Sequence, residues 1–212
     1  MIRAVFFDVA NTLLDKPDLF PSMQSALQKH GYEFSTNHLA MAHKSLSEAF
    51  VFPDKTSREF YQSFNQHLLY ALGIIPNDKL VDDIFSACTY LPWRPFDDTY
   101  ALEQINLPLG VLSNWDSSLK QKLAEHFTAK FDWILCSQDE GVKKPDMRFF
   151  QRMLDATGYK AEEILFVGDS LKLDVHPATQ LGVHAVLIDR QNQFSAGNTN
   201  RITELIQLTK WL

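Results

Sequence analysis

The chain has 212 residues, 45% of them hydrophobic and 22% charged, with a formal net charge of −6. That length suits one large domain, or a core with a smaller companion, and the acidic balance excludes the broad basic field that nucleic acid requires. A small phosphorylated substrate stays admissible, because it needs only local positive groups. No apolar segment approaches the ~20 residues of a bilayer span, so no membrane partner is expected. The chain enters its first strand at once, which predicts no signal peptide. Cys88 and Cys136 lack metal-type or redox-type spacing, which predicts a reducing, cytoplasmic setting.

The first element is the apolar run 2–7, IRAVFF, which predicts a buried strand. It stops at a carboxylate, Asp8, with Ala10, Asn11 and Thr12 directly after it. From 15 to about 90 the texture turns helical, with apolar residues such as Phe60, Phe64, Leu68 and Leu72 at helical spacing. Helices are predicted over 20–30, 36–50, 57–72 and 78–90, broken at Gly31, Pro53 and 73–76. This predicts an all-helical insertion at 15–94 within a core formed by 1–14 and 95–212. The stretch 91–98, stiffened by Pro92 and Pro95, is the expected return hinge.

Beyond 107 strands and helices alternate. Strands are predicted at 109–112, 133–135, 164–167 and 183–188, with helices at 116–127, 146–157, from 170 through 180, and near 201–208. A loop covers 141–145. This alternation predicts an α/β fold, a mostly parallel sheet with helices on both faces. In such a sheet all strand ends point to one edge, where ligands bind. Asp8, the pair Ser113 and Asn114, Lys144 and Asp169 each follow a strand and should meet there.

Asp8 and Asp169 offer two hard oxygen donors, too few for a calcium cage but suited to Mg²⁺, which keeps waters and takes up phosphate oxygens. Lys144 supplies a point charge, and Ser113 a hydroxyl donor for a phosphoryl oxygen. Asn114 is expected to orient substrate or nearby backbone. A carboxylate between Mg²⁺ and a lysine stays ionised, as a nucleophile must. Phosphoryl transfer then asks mainly for positioning and charge neutralisation.

Four motifs in this order resemble the haloacid dehalogenase-like hydrolase superfamily, in the branch with a helical cap after the first strand: DVANT at 8–12, VLSNWD around Ser113, GVKKPD around Lys144, and VGDSLKLD at 167–174. The resemblance implies a Rossmann-like core with the insertion as a cap over the substrate. It further implies Asp8 as the residue forming an aspartyl intermediate, and Ser113 and Lys144 as groups that hold the transferred moiety. Asn11, Thr12 and Asn114 join them around the substrate. The implied metal set is Asp8, the main chain of Ala10, Asp169 and Asp174, with Mg²⁺ as cofactor. Lys144 is chosen over Lys143 because the family lysine directly precedes the proline.

One departure matters. Phosphatases of this family carry a second Asp two residues after the nucleophile, which protonates the leaving alkoxide and later activates water. Here that position is Ala10, and such a group contributes ~10²–10⁴-fold in rate. Three readings follow, in this order. The first is a Mg²⁺-dependent phosphatase of a small metabolite that is slow, favours good leaving groups, or borrows an acid such as His38, His43 or Glu48. The second is C–P or C–halogen hydrolysis, with Lys44 or Lys55 as a Schiff-base lysine; metal-free dehalogenases are disfavoured by the Asp169 and Asp174 pair. The third is a silent domain that binds a phosphorylated ligand or a partner.

Plainer roles stand beside these. Ser113 and Asp116 suit helix caps, Lys143 a solvated charge, and Asp174 an exposed first-turn acid. Thr12 suits a loop-holding role better than a reactive one. His30, His67, His126, His176 and His184 show no ligand spacing. Phe50, Phe52 and Trp93 read as packing.

Overall fold

The computed structural model describes residues 1–194 and 200–212. The chain runs β1 (Ala4–Phe7), β2 (Leu14–Asp15), α1 (Leu19–Gln28), α2 (Thr36–Ala49), α3 (Arg58–Ala71), α4 (Asp78–Cys88) and β3 (Arg94–Pro95). A 3-10 helix (Asp97–Gln104) leads into β4 (Leu109–Ser113), α5 (Leu119–His126), β5 (Trp133–Cys136), α6 (Ser137–Glu140) and α7 (Met147–Thr157). There follow β6 (Ile164–Gly168), a π-type turn (Leu171–Val175), α8 (His176–Gln180), β7 (His184–Ile188), β8 (Arg201–Ile202) and a last 3-10 helix (Leu205–Lys210). The chain divides into two compact units, Met1–Asp15 with Pro95–Leu212, and Lys16–Arg94.

The first unit is an α/β core around a six-stranded sheet in the order β5-β4-β1-β6-β7-β8, and its registered pairs are parallel. Strands β1, β4 and β6 are buried along their whole length, as continuous apolar runs in a doubly covered parallel sheet must be. Phe6, Phe149, Phe150, Met153 and Phe166 fill one side. Gly110 is required by this packing, because a Cβ there would lie 2.3 Å from the Phe6 ring. From β1 the chain builds β4 and β5 on one side, then crosses to β6 and β7 on the other. The carboxyl end of β1 is therefore the switch point of the sheet, where neighbouring loops diverge and leave a crevice.

The second unit is all helical. Ser35, Ser57 and Asn77 cap α2, α3 and α4 by accepting from His38 N, Phe60 N and Leu80 N, which sets where each helix starts. Met23, Leu27, Leu39, Leu68, Leu80 and Ile84 make its core.

Several expectations are corrected in detail. The helix expected from 116 begins at Leu119, because Asp116 Oδ1 accepts from Ser118 N at 2.9 Å and closes a turn first. The loop expected through 141–145 is preceded by α6. The helix expected at 201–208 is instead β8 and a 3-10 turn: Ile202 pairs with Ile188 in parallel register and is buried. Between 170 and 180 one expected helix is a π-type turn and then α8, with Pro177 in the first turn of α8.

Candidate active site

The switch point gathers the polar strand ends. Asp8 follows β1, its N–H donating to Val167 O at 2.9 Å, so the loop leaves the sheet in register with β6. Ser113 ends β4, and its hydroxyl donates to Asp8 Oδ1 at 2.9 Å. Lys144 Nζ lies 2.6 Å from the same Asp8 oxygen and 2.6 Å from Asp174 Oδ1. All four side chains are buried. Ser113 is therefore not a helix cap, and Asp174 is not the exposed first-turn acid.

The π-type turn explains how Asp174 arrives there. Ser170 O accepts from both Asp174 N and Val175 N, each at 3.1 Å, so the turn carries one residue more than an α-turn. The widened turn directs Asp174 inward, where Oδ2 accepts from Ser170 N at 3.0 Å. Gly168 makes this approach feasible: a Cβ there would lie 2.3 Å from Asp174 Cγ. Ser170, which lies inside the VGDSLKLD motif without a role assigned to it there, contributes through its backbone N–H and through its hydroxyl, which accepts from Leu173 N at 2.9 Å.

Asn114 holds the main chain of Lys144 at two points, donating from Nδ2 to its carbonyl at 3.0 Å and accepting at Oδ1 from its N–H at 2.8 Å. Of the two roles expected for Asn114, the backbone one is what its amide performs. Lys143 is half-buried rather than solvated. Asn11 is exposed and adopts φ 60 at the tip of the loop. Thr12 is completely buried, and its carbonyl is bonded to Arg190. The Thr12 backbone therefore takes part in holding the loop.

Charge within this cluster is interdependent. Burial alone would lower the Lys144 amine, but Asp174 and Asp8 outweigh it and raise its proton affinity. Burial pushes the Asp174 carboxyl up to about 7, a rise that Lys144 opposes and that Asp8 and Asp169 reinforce. Such a concentration of carboxylates suits a cation. One oxygen each from Asp8, Asp169 and Asp174 lie within 4.8 Å of one another, and an all-oxygen set of this kind fits Mg²⁺.

Of the acids considered in place of the missing Asp, His43 sits against Phe20 and Phe64, and burial, with Lys44 beside it, lowers its pKa to about 4. It is neutral at pH 7 and ill suited to donate a proton. Glu48 is paired with Lys44 at 2.9 Å, which also engages the amine considered for a Schiff base. His38 packs edge-on against Phe34. Phe50 and Phe52 belong to an aromatic group with Phe60 and Phe64, in keeping with packing.

A parallel α/β sheet with carboxylates, a lysine and a serine at its switch point defines a class of hydrolase-like folds, and the sequence comparisons narrow it. Residues 2–182 match the model of the haloacid dehalogenase-like hydrolases. The chain belongs to that family. It is 26% identical over 217 residues to a glyceraldehyde 3-phosphate phosphatase of Methanothermobacter thermautotrophicus, covering 90% of this chain and 87% of the relative. It is 25% identical over 228 residues to an (S)-2-haloacid dehalogenase of Pseudomonas putida, covering 100% of this chain and 96% of the relative. In fold it is similar to the magnesium-bound putative hydrolase YfnB of Bacillus subtilis, with a TM-score of 0.69 at 20% identity over 99% of this chain and 98% of the other. Among the described residues no helix is long and apolar enough to cross a membrane.

Proposed function

We propose that the protein is a Mg²⁺-dependent phosphohydrolase of a small phosphorylated metabolite, with Asp8 as nucleophile. The observation that carries this reading is the Asp8 carboxylate, held through one oxygen by Lys144 and Ser113 with carboxylate oxygens of Asp169 and Asp174 close by. Asp8 attacks phosphorus through its other oxygen, the bond from phosphorus to the leaving oxygen breaks, and an aspartyl phosphate forms. Water then cleaves the acyl phosphate, returning the Asp8 carboxylate and releasing inorganic phosphate. Lys144 and Ser113 neutralise and orient the phosphoryl oxygens, and Asn114 fixes the backbone that aims Lys144. Asp8, the Ala10 carbonyl, Asp169 and Asp174 would hold the cation, which supplies charge neutralisation at the phosphoryl group. To the helical insertion we assign the role of a cap that selects the substrate.

The methyl of Ala10 cannot donate a proton, so the site favours substrates whose leaving group departs as a stable anion: aryl, enol or acyl phosphates over alkyl phosphates. Two measurements test this. Hydrolysis of p-nitrophenyl phosphate in Mg²⁺ is expected to be lost in EDTA and to fall by about 10³-fold or more in Asp8→Asn. Activity that survives in both overturns the reading. Ala10→Asp is expected to raise turnover of alkyl phosphates by about 10²-fold while changing aryl phosphate turnover far less. An equal effect on both classes would show that leaving-group protonation is not what Ala10 omits.

A second reading, C–halogen hydrolysis, is favoured by the full-length similarity to the haloacid dehalogenase. It predicts halide release from a 2-haloacid that is indifferent to EDTA, and the crowded carboxylates argue against it.

A further inference from the structure

The loop after Asp8 closes on itself through its own backbone and is also held from outside. Val9 O accepts from Thr12, Leu13 and Leu14 N–H groups, at 3.3, 2.9 and 2.9 Å, and Asn11 N–H donates to Leu14 O at 2.7 Å, so the turn closes on two carbonyls, and neither is that of Thr12. Outside that turn the loop is gripped by residues remote in sequence. Arg190, two residues past β7, donates through Nη2 to Thr12 O at 2.7 Å and through Nη1 to Asp98 Oδ2 at 3.0 Å. Its guanidinium lies over the Phe96 ring, 3.7 Å from Cζ to centroid. Phe96 N in turn donates to Leu13 O at 3.2 Å. Asp98 Oδ2 also accepts from Leu205 N at 2.7 Å, tying in the C-terminal 3-10 helix. The neighbouring Asp189 is fully occupied elsewhere, accepting from Gln193 N, Phe194 N and Arg201.

We propose that Arg190, held by Asp98 and Phe96, is a positioning residue for the nucleophile loop: it fixes the Thr12 carbonyl and through it the aim of Asp8. The inference rests on the reading of Asp8 as nucleophile. A guanidinium suits the task, because its planar fork joins two acceptors in fixed geometry while its face stacks on a ring. The arrangement is a poor choice for stability alone. Both ionic side chains are largely buried, at 13% exposure each, and an apolar pair of similar size would avoid their desolvation. Among the described residues, the buried side-chain atoms without a hydrogen-bond partner are Thr12 Oγ1, Asp98 Oδ1 and Arg190 Nε, all in this node. A polar node kept at that cost and clamped on the loop next to the nucleophile points to positioning.

The test compares Arg190→Met, Arg190→Lys and the double variant Arg190→Met with Asp98→Leu. Turnover of p-nitrophenyl phosphate in Mg²⁺, melting temperature, and hydrogen exchange of the amides in 8–14 are measured together. Arg190→Met is expected to lower kcat by about 10²-fold, the scale of a small misplacement of a reacting group, with KM unchanged and exchange in 8–14 accelerated. Arg190→Lys, which keeps the charge and loses the fork, is expected to fall between. The double variant removes both charges and is expected to regain melting temperature without regaining kcat or loop protection. If kcat returns with the melting temperature, or if Arg190→Met leaves kcat and exchange in 8–14 unaltered, the node is only structural and the inference is overturned. Should Arg190→Met not fold, Arg190→Lys and the double variant decide the same question. If Asp8→Asn keeps full activity, the nucleophile reading fails by itself, and exchange in 8–14 still reports whether Arg190 orders that loop.

Discussion

The two units of the chain bury different things. The sheet unit buries charge: Lys144, Asp8 and Asp174 lie together out of solvent, and Arg190 with Asp98 nearly so. The helical unit buries mainly rings and aliphatic side chains; Arg58 with Asp82 and Lys79 with Asp83 pair at its surface, while Lys44 with Glu48 is partly buried. Packed apolar helices need no charge to be stable, whereas buried ions are costly unless they serve one another or a ligand. The contrast agrees with the chemistry proposed above for the buried cluster of the sheet unit. It also fixes what perturbation should do to each unit, since breaking a buried cluster is expensive and breaking an exposed pair is not.

The largest effect is expected from Lys144→Met. It leaves Asp8 and Asp174 buried without the ammonium that both contact, a situation that costs about 3–5 kcal/mol. Urea unfolding in EDTA should show that loss, and Mg²⁺ should return part of it by supplying positive charge to the same carboxylates. An equal deficit with and without Mg²⁺ would mean that the cation does not sit on Asp8 and Asp174, and the contrast between the units would lose its functional meaning.

What the sequence makes legible in the sheet unit follows from one rule. Strands that alternate with helices run parallel, so residues just past their carboxyl ends share an edge, and Asp8, Ser113 and Asp169 are found there although 105 residues separate the first two. Asp174 is harder to place, because its inward turn depends on an extra residue in the π-type turn and on the missing Cβ of Gly168. Arg190 is not legible at all. It lies 178 residues from the Thr12 carbonyl and 92 from Asp98, and an arginine after a strand has no periodicity or spacing to mark it. The strand at 201–202 was hidden for a related reason: two residues carry no alternation, and only the partner strand Leu187–Ile188 makes them a strand. In the helical unit, by contrast, apolar spacing and Ser or Asn caps are local signals, so the helices lie close to where the sequence places them.

An intermediate effect is expected from His43, an ionisable group held among the rings of the helical unit. Its folded-state pKa is about 4 against an ordinary 6.5. As pH falls through 6.5 the unfolded chain takes up a proton that folded His43 refuses, so stability declines between pH 6.5 and 4 and the decline levels off below that. The shift corresponds to a penalty of about 3 kcal/mol. Replacing it as His43→Leu should flatten the unfolding free energy across this window relative to the parent protein. Parallel curves would show that His43 is solvated when protonated, and that the helical unit is looser around Phe20 and Phe64 than their ring contacts imply.

The smallest effect is expected at the surface of the helical unit. Arg58 lies 2.9 Å from Asp82, with both side chains about half exposed, and its guanidinium passes over the Phe85 ring at 5.1 Å. Water and salt screen such a pair, and ordering two long side chains offsets much of the attraction. Arg58→Ala should therefore move Tm by about 2 °C or less, and Arg58→Lys, which keeps the charge but not the stacked plane, should apportion that change between ion pair and ring contact. The ion-pair share should vanish in high salt while the ring share persists. A loss at Arg58 as large as that at Lys144 would contradict the physical division drawn between the units, because it would make an exposed charge as consequential as a buried one.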